Sequence, residues 1–523
     1  MNYRMAWWIV DQLVQQGVNC FYLAPGSRST PLALATARHR GAKIYVHYDE
    51  RGLGFFALGA AKAKKSATAL IVTSGTAVGN LLPAVMEAYH SRAAFILLTA
   101  DRPPELIETG ANQTCDQIKL FTHFVRSHVH LPTADQQTQE SYVRSSLAQA
   151  VCLTREDPGP IHINWHIREP LFTLPLPSLP EGRPIEAILS NKIPSESTNV
   201  SGLGAIVIGK LPKETDLTPI LELAHKLRWP VFADILSQAR LQMTEEQIVH
   251  FDRLLGKNPP AAETLIHFGE RITAKSILSW KAKAHHIHVS PWKELQDPSR
   301  SVTKRILADI PAFCASVHAE AAPETWLAFW KEQDRAAHIE MQSEQTFSSD
   351  PEPLAFQELA ACFQPNWSLY LGSSMPIRNA DHFFFPACKS MQGRIFSNRG
   401  LSGIDGNIAT AAGLTEGLQG PLIAWIGDQA ALYDLNSLPL LQHTKHPVML
   451  VISNNFGGKI FSRLPIAKAT EHFEKFWTNP HSWQFSHAAK MFKLPYLKAQ
   501  SVEELTSIFQ QPWDSSLVVE WIS

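Results

Sequence analysis

Short apolar runs of strand length alternate with longer amphipathic stretches through this chain, and no other feature restricts its fold as strongly. CFYLAP, KIYVHY, ALIVTS, AFILLTA and PIHINW open the series; GAIVIG, PVFADI, TLIHFG and HIHVS continue it; SLYLGSS, RIFSN, PLIAWIG, PVMLVIS and LVVEWI complete it. Continuous apolar strands need cover on both faces, so the expected architecture is α/β, with mostly parallel sheets flanked by crossover helices. Two polar breaks divide the series. Leu174 to Gly202 carries Pro175, Pro177, Pro180, Pro184 and Pro194, which deny helix interiors and ladder hydrogen bonds, and Ser343 to Phe356 is the second break. At 523 residues, and roughly 150 per domain, three domains are expected, at 1–182, 183–345 and 346–523.

Charge and composition exclude several function classes. Lysine and arginine total 47 against 48 acidic residues, which leaves no basic excess to displace counterions from a nucleic acid. The six cysteines include no CxxC pair, so neither a cysteine zinc site nor a disulfide framework is expected. No apolar run approaches the ~20 residues that span a bilayer, and the first twenty or so residues hold no long apolar stretch. The expectation is a cytoplasmic enzyme acting on small molecules, with no nucleic-acid or membrane partner.

Parallel sheets bind ligands beyond the carboxyl ends of their strands, and the polar motifs fall there. Asp428 follows PLIAWIG and Asn455 follows PVMLVIS, so a carboxylate and an amide oxygen reach one sheet edge. With a backbone carbonyl near a glycine, they suit a hard divalent cation that completes its shell with water and phosphate oxygens. Glu50, in HYDERGLGFFALG, lies at a strand-to-helix junction, where an acidic residue in a first helical turn needs no function to explain it. Its company argues for one. Thr73-Ser74-Gly75-Thr76 ends another strand, and APGSRST (Ala24–Thr30), TADRPPEL (Thr99–Leu106) and GANQTCDQ (Gly110–Gln117) follow strands or link them. His286 and His288 share one face of HIHVS, but a metal pair there lacks a third ligand.

These residues, with SNRGLSGIDG, GDQAALYDLN and NNFGGKIFSRLP, resemble the thiamine-diphosphate-dependent 2-oxoacid decarboxylases and carboligases, and among them the MenD family. The wider superfamily has glycine where this chain has Gln429; the MenD family is similar in lacking it. The resemblance spans almost the whole chain and is thinnest in the middle block, where it rests on FGERITAKSIL. It implies an N-terminal pyrimidine-binding domain, a central transhydrogenase-like domain and a C-terminal diphosphate- and metal-binding domain. It also implies a transferase of menaquinone biosynthesis. Such an enzyme decarboxylates 2-oxoglutarate and adds the succinyl-semialdehyde-equivalent enamine to isochorismate, releasing CO₂.

The same resemblance implies roles for single residues. Asp428, Asn455 and the Gly457 carbonyl would hold Mg²⁺, or Mn²⁺ as the alternative, and through it the cofactor's diphosphate. Glu50 would relay a proton at the aminopyrimidine ring; Ser74, Gly75 and Thr76 would line the cofactor, and Ile404 would wedge beneath its thiazolium. Ile460, Phe461 and Leu464 would wall the site, with Asn112 and Gln113 near the reacting centre. Substrates that each carry two carboxylates call for forked cationic donors, and Arg28, Arg102, Lys275, Arg378 and Arg399 are the candidates, with Ser27 completing the lining. The four arginines are all expected in loops that follow strands. A homodimer or homotetramer is implied, with each site shared between chains. Another 2-oxoacid decarboxylase, acetolactate-synthase-like, is the alternative enzyme, and a non-catalytic protein that kept the fold is the alternative of a different class. The arginine set argues against the first, and the presence of Glu50, Asp428 and Asn455 against the second.

Overall fold

The computed structural model describes residues 1–523 except 65, 184–197, 243, 258, 282–283, 295, 346–349 and 387–390. Residues 184–197 of the expected linker, 346–349 of the second break, and Cys388 therefore lie outside the described residues. The chain divides into two compact units: Met1–Ser190 with Asn398–Leu497 and Trp513–Glu520, and Asn191–Ser397 with Lys498–Pro512 and Trp521–Ser523. No helix among the described residues is long and apolar enough to cross a membrane.

In the first unit, β1 (Cys20–Leu23), β2 (Lys43–Val46), β3 (Thr68–Val72), β4 (Phe95–Asp101), β5 (Ser127–Leu131) and β6 (Pro160–His166) form a parallel sheet in the order β2-β1-β3-β4-β6-β5. The winding reverses between β1 and β3, and a doubly wound sheet opens a ligand crevice at the carboxyl ends of such a pair. The two turns there lie against each other: a Cβ on Gly26, after β1, would stand 2.4 Å from Thr73 Cβ, after β3.

The helix Glu50–Ala63 begins where Asp49 caps it, accepting the Arg51 N–H at 3.0 Å, and is buried from Gly52 onward. Its small residues let a second helix, Asn407–Leu414, cross it backbone to backbone. A Cβ on Gly59 would lie 2.1 Å from the Thr410 carbonyl oxygen, and one on Gly413 would lie 2.0 Å from that of Phe56. No side chain fits either position, so the crossing itself requires the two glycines.

The second unit holds β7 (Thr198–Val200), β8 (Gly204–Ile208), β9 (Val231–Ala233), β10 (Thr264–Phe268), β11 (His285–Ser290), β12 (Val302–Leu307) and β13 (Val317–Ala319). Five of them make a parallel sheet in the order β12-β11-β10-β8-β9, and β7 pairs with β13. Its core packs Phe232 edge-on to Trp280 and Trp330 at 5.5 and 5.3 Å between ring centres. β14 (Ser368–Leu371) and β15 (Ile395–Ser397) pair in parallel in the same unit. Back in the first unit, β16 (Leu422–Gly427) runs parallel to β17 (Val448–Asn454).

Every apolar run singled out in the sequence is a strand; the strands without such a run went unread. SHVHL and VTKRIL, β5 and β12, are outer strands of their sheets and only half-buried, so water tolerates polar side chains that an inner strand excludes. The same exposure hides YLKA, β18 (Tyr496–Ala499).

Candidate active site

Two strand ends of the first sheet, those of β3 and β4, and the loop that follows β4 carry one hydrogen-bonded group. The buried Ser74 donates its hydroxyl to the Gln113 carbonyl at 2.9 Å, and Gln113 Nε2 donates back to the Ser74 carbonyl at 2.9 Å. Gly75, at φ +79°, donates its N–H to Gln117 Oε1 at 3.0 Å, and a Cβ on it would press Gln113 Cγ at 3.0 Å. Arg102 Nε donates to the Asn112 carbonyl at 3.2 Å, so the GANQ loop is tied to the ends of β3 and β4 together. Thr76 is exposed at the start of the following helical turn.

Arg28, only 6% exposed, donates to the Ile167 carbonyl and to Glu169, each at 3.0 Å. Burial, and after it the nearby Arg102 cation, lowers its pKa from the ordinary arginine value. Two guanidiniums that repel each other after β1 and β4, beside the exposed Ser27, make a place for an anion. Glu50 is half-buried at the first residue of its helix, and its carboxylate has no hydrogen-bond or ion-pair partner among the described residues.

Gly427 pairs with Ser453 across β16 and β17, so the chain leaves both strands at one edge, carrying Asp428 and Asn455. Asp428 is buried; its Oδ1 accepts the Gln429 N–H at 2.6 Å and its Oδ2 the Gly457 N–H at 2.8 Å. Burial pushes this carboxyl's pKa up, while the two N–H groups and His481 pull it back. His481 Nδ1 accepts the Trp483 N–H at 3.3 Å, and its Nε2 lies 3.3 Å from Asp428 Oδ2. Of the paired asparagines, Asn454 is fully engaged: Nδ2 donates to the Trp483 carbonyl at 2.9 Å and to Glu520 at 2.6 Å, and Oδ1 accepts the Phe456 N–H at 3.2 Å. Asn455 Oδ1 is buried with no hydrogen-bond partner.

An orphaned buried amide oxygen at the same sheet edge as a buried carboxylate is costly alone, and the two are donors a hard cation takes. The residues thus fit a divalent ion. The Gly457 carbonyl accepts the Lys459 N–H at 2.9 Å and keeps a second lone pair for such an ion. Ile460 and Phe461 are half-buried in the turn Lys459–Arg463 that follows, and Leu464 is exposed.

Arg399 and the exposed Ile404 lie in the loop after β15 that belongs to the first unit. Lys275 and Arg378 lie in the second unit. Lys275 is exposed just before the helix Ser276–Lys281. Arg378 corrects the sequence reading: it sits within the helix Met375–Phe383, its guanidinium turned back on the Ser374 carbonyl, and not in a loop. Pro376 in the first helical turn lets the helix start after a connection of only three residues from β14, so Arg378 falls in its second turn.

The chain's relatives agree with this arrangement. Residues 4–120 match the family model of the thiamine pyrophosphate enzyme N-terminal domain, which binds that cofactor, and residues 193–370 match the middle domain of thiamine pyrophosphate enzymes. The 2-succinyl-5-enolpyruvyl-6-hydroxy-3-cyclohexene-1-carboxylate synthase of Salinibacter ruber is 36% identical, over 96% of this chain and 90% of that protein. The synthases of the same name from Chloroflexus aurantiacus and Geobacillus kaustophilus are 35% and 34% identical, over 94% and 92% of this chain and 88% of each relative. This chain belongs to that synthase family. It is a thiamine-diphosphate enzyme, and its parallel sheets flanked by helices are the three-domain α/β fold of the class.

Around these synthase-family motifs the structure adds residues that sequence reasoning missed. Gln117, which holds Gly75, is itself held by Asn164 Oδ1 at 3.0 Å, and Asn164 Nδ2 donates to Asp101 at 2.7 Å. His481 faces Asp428 from more than fifty residues away. GANQTCDQ already contained Gln117; Asn164 lies inside an apolar strand and His481 in a loop, and neither carries a local signal.

Proposed function

We propose that the strand ends of the first unit form the catalytic site of a 2-succinyl-5-enolpyruvyl-6-hydroxy-3-cyclohexene-1-carboxylate synthase. The chain is a transferase of menaquinone biosynthesis: it decarboxylates 2-oxoglutarate and joins the remaining four-carbon unit to isochorismate. The observation that carries the site is the orphaned Asn455 Oδ1 at the sheet edge that also carries the buried Asp428 carboxylate. With the Gly457 carbonyl they would hold Mg²⁺ or Mn²⁺, and through it a diphosphate. Bound thiamine diphosphate supplies a nucleophilic carbon and then an electron sink for the carboxylate's departure.

The chain's own groups do the rest. Glu50 holds a proton at the ring nitrogen of the aminopyrimidine, a task open to a carboxylate that has no other partner. Ser74, Gly75 and Thr76 let the ligand approach the backbone, while Ile404, Ile460, Phe461 and Leu464 cover it and exclude water. Arg28, Arg102 and Arg399, with Ser27, Asn112 and Gln113, receive substrate carboxylates. Domains at 1–182, 183–345 and 346–523, a cytoplasmic location, and a homodimer or homotetramer sharing each site complete the proposal.

The experiment is turnover with thiamine diphosphate, Mg²⁺ and 2-oxoglutarate, with and without isochorismate, following CO₂ and adduct. Adduct formation that needs all four supports the reading; turnover of pyruvate but not 2-oxoglutarate would sink it.

A further inference from the structure

Arg399 stands in a loop whose two flanks are held by a buried ion pair that no motif contains. Glu87, on the helix Leu82–Ser91, accepts the Gly400 N–H at 3.0 Å and the Leu401 N–H at 2.8 Å. Lys62, on the helix Glu50–Ala63, donates to Glu87 at 3.0 Å and to Asn398 Oδ1 at 2.6 Å. Asn398 in turn donates to Thr410 Oγ1 at 3.0 Å. Lys62, Glu87 and Asn398 are all at least nine-tenths buried. A Cβ on Gly400 would lie 2.8 Å from Glu87 Oε2 and 2.9 Å from the Glu87 carbonyl oxygen, so the loop backbone lies directly on that helix.

We propose that Glu87 and Lys62 are positioning residues for substrate binding, fixing the peptide on both sides of Arg399 so that its guanidinium meets a substrate carboxylate without reorganisation. The proposal rests on the assignment of Arg399 to the substrate set. The chemistry favours it over simple packing. Two charges are buried together, and both hydrogen-bond to residues that flank one arginine, Lys62 to Asn398 and Glu87 to Gly400 and Leu401. A fork placed within about 0.5 Å by such a second layer loses little entropy when it binds.

The test is a double-mutant cycle of Glu87→Gln and Arg399→Gln, with KM and kcat measured for both substrates and thermal stabilisation by thiamine diphosphate and Mg²⁺ measured alongside. Glu87→Gln keeps the shape but turns one acceptor into a donor facing an N–H. Its expected effect is a rise of about tenfold or more in KM for one substrate, with kcat changed far less and cofactor stabilisation retained. In the Arg399→Gln background the same change should have no further effect on KM. Asn398→Ala, which releases the other flank, should reproduce the KM rise even if Glu87→Gln does not fold. If Arg399→Gln raises KM but the flanking variants do not, or their effects multiply with it, the positioning role is overturned. If Arg399→Gln leaves both KM values unchanged, the assignment of Arg399 itself fails, and this proposal with it.

Discussion

Asp428→Asn separates the stability of the metal edge from its affinity. In the native chain Asp428 accepts two backbone N–H groups, from Gln429 and Gly457. Asparagine keeps one acceptor oxygen and turns its amide nitrogen to the other N–H, leaving one donor unsatisfied at about 1–3 kcal/mol. That loss is offset by no longer burying a carboxylate whose ionisation burial already opposes. The ligand-free melting temperature should therefore move by only a few degrees. Cation binding, in contrast, loses the one carboxylate of its donor set, and the affinity for thiamine diphosphate with Mg²⁺ should fall at least ~100-fold, or ~2.7 kcal/mol. At ligand concentrations of ~100 times the native Kd, binding stabilises the native protein by ~2.7 kcal/mol, and the variant by only ~0.4 kcal/mol. Calorimetric melting with and without the two ligands reads this directly. A variant that melts near the native temperature and keeps the full ligand-induced shift would show that Asp428 does not hold the metal.

Glu50→Gln should keep that ligand-induced shift while slowing turnover by about 10²–10⁴, the range for losing a positioned proton-transfer group; a rate within a few-fold of native removes Glu50 from the reaction. Gly413→Val would force a side chain into a gap where Cβ alone meets the Phe56 carbonyl at 2.0 Å, so a cost above ~3 kcal/mol, or no soluble protein, is expected, and native-like melting would refute the backbone crossing. Asp434 accepts the Ile408 and Ala409 N–H groups, and burial pushes its pKa up to about 6. Because the folded value lies above the unfolded one, its contribution is greatest below pH ~4 and is lost as pH rises through about 6, by roughly 3 kcal/mol. Urea unfolding of native and Asp434→Asn chains should diverge by that amount between pH 4 and 7; parallel curves would contradict the shift.

Much of the fold was readable because inner parallel strands are buried on both faces and must be apolar without interruption. β3, β4, β16 and β17 could hardly have been anything else. β5 and β12 were not, because an edge strand half in water obeys no such rule. The site divides in the same way. Residues that end strands, such as Ser74, Arg102 and Asp428, carry their signal beside them in the chain. Arg378 misled because Pro376 starts a helix where a loop was expected. Glu87, Lys62 and Asn164 carry none, being polar residues within helices and strands whose purpose lies in partners tens or hundreds of residues away.

By itself, then, the sequence determined the class of sheet, the strand ends where chemistry gathers, and the family, since periodicity and local motifs are properties of neighbours along the chain. Only the tertiary structure decided which of Asn454 and Asn455 is spent on the fold and which keeps an oxygen for a cation. The two are alike in sequence. What separates them is the placement of Trp483 and Glu520, which satisfy one amide and leave the other's oxygen buried without a partner, and no local pattern encodes that.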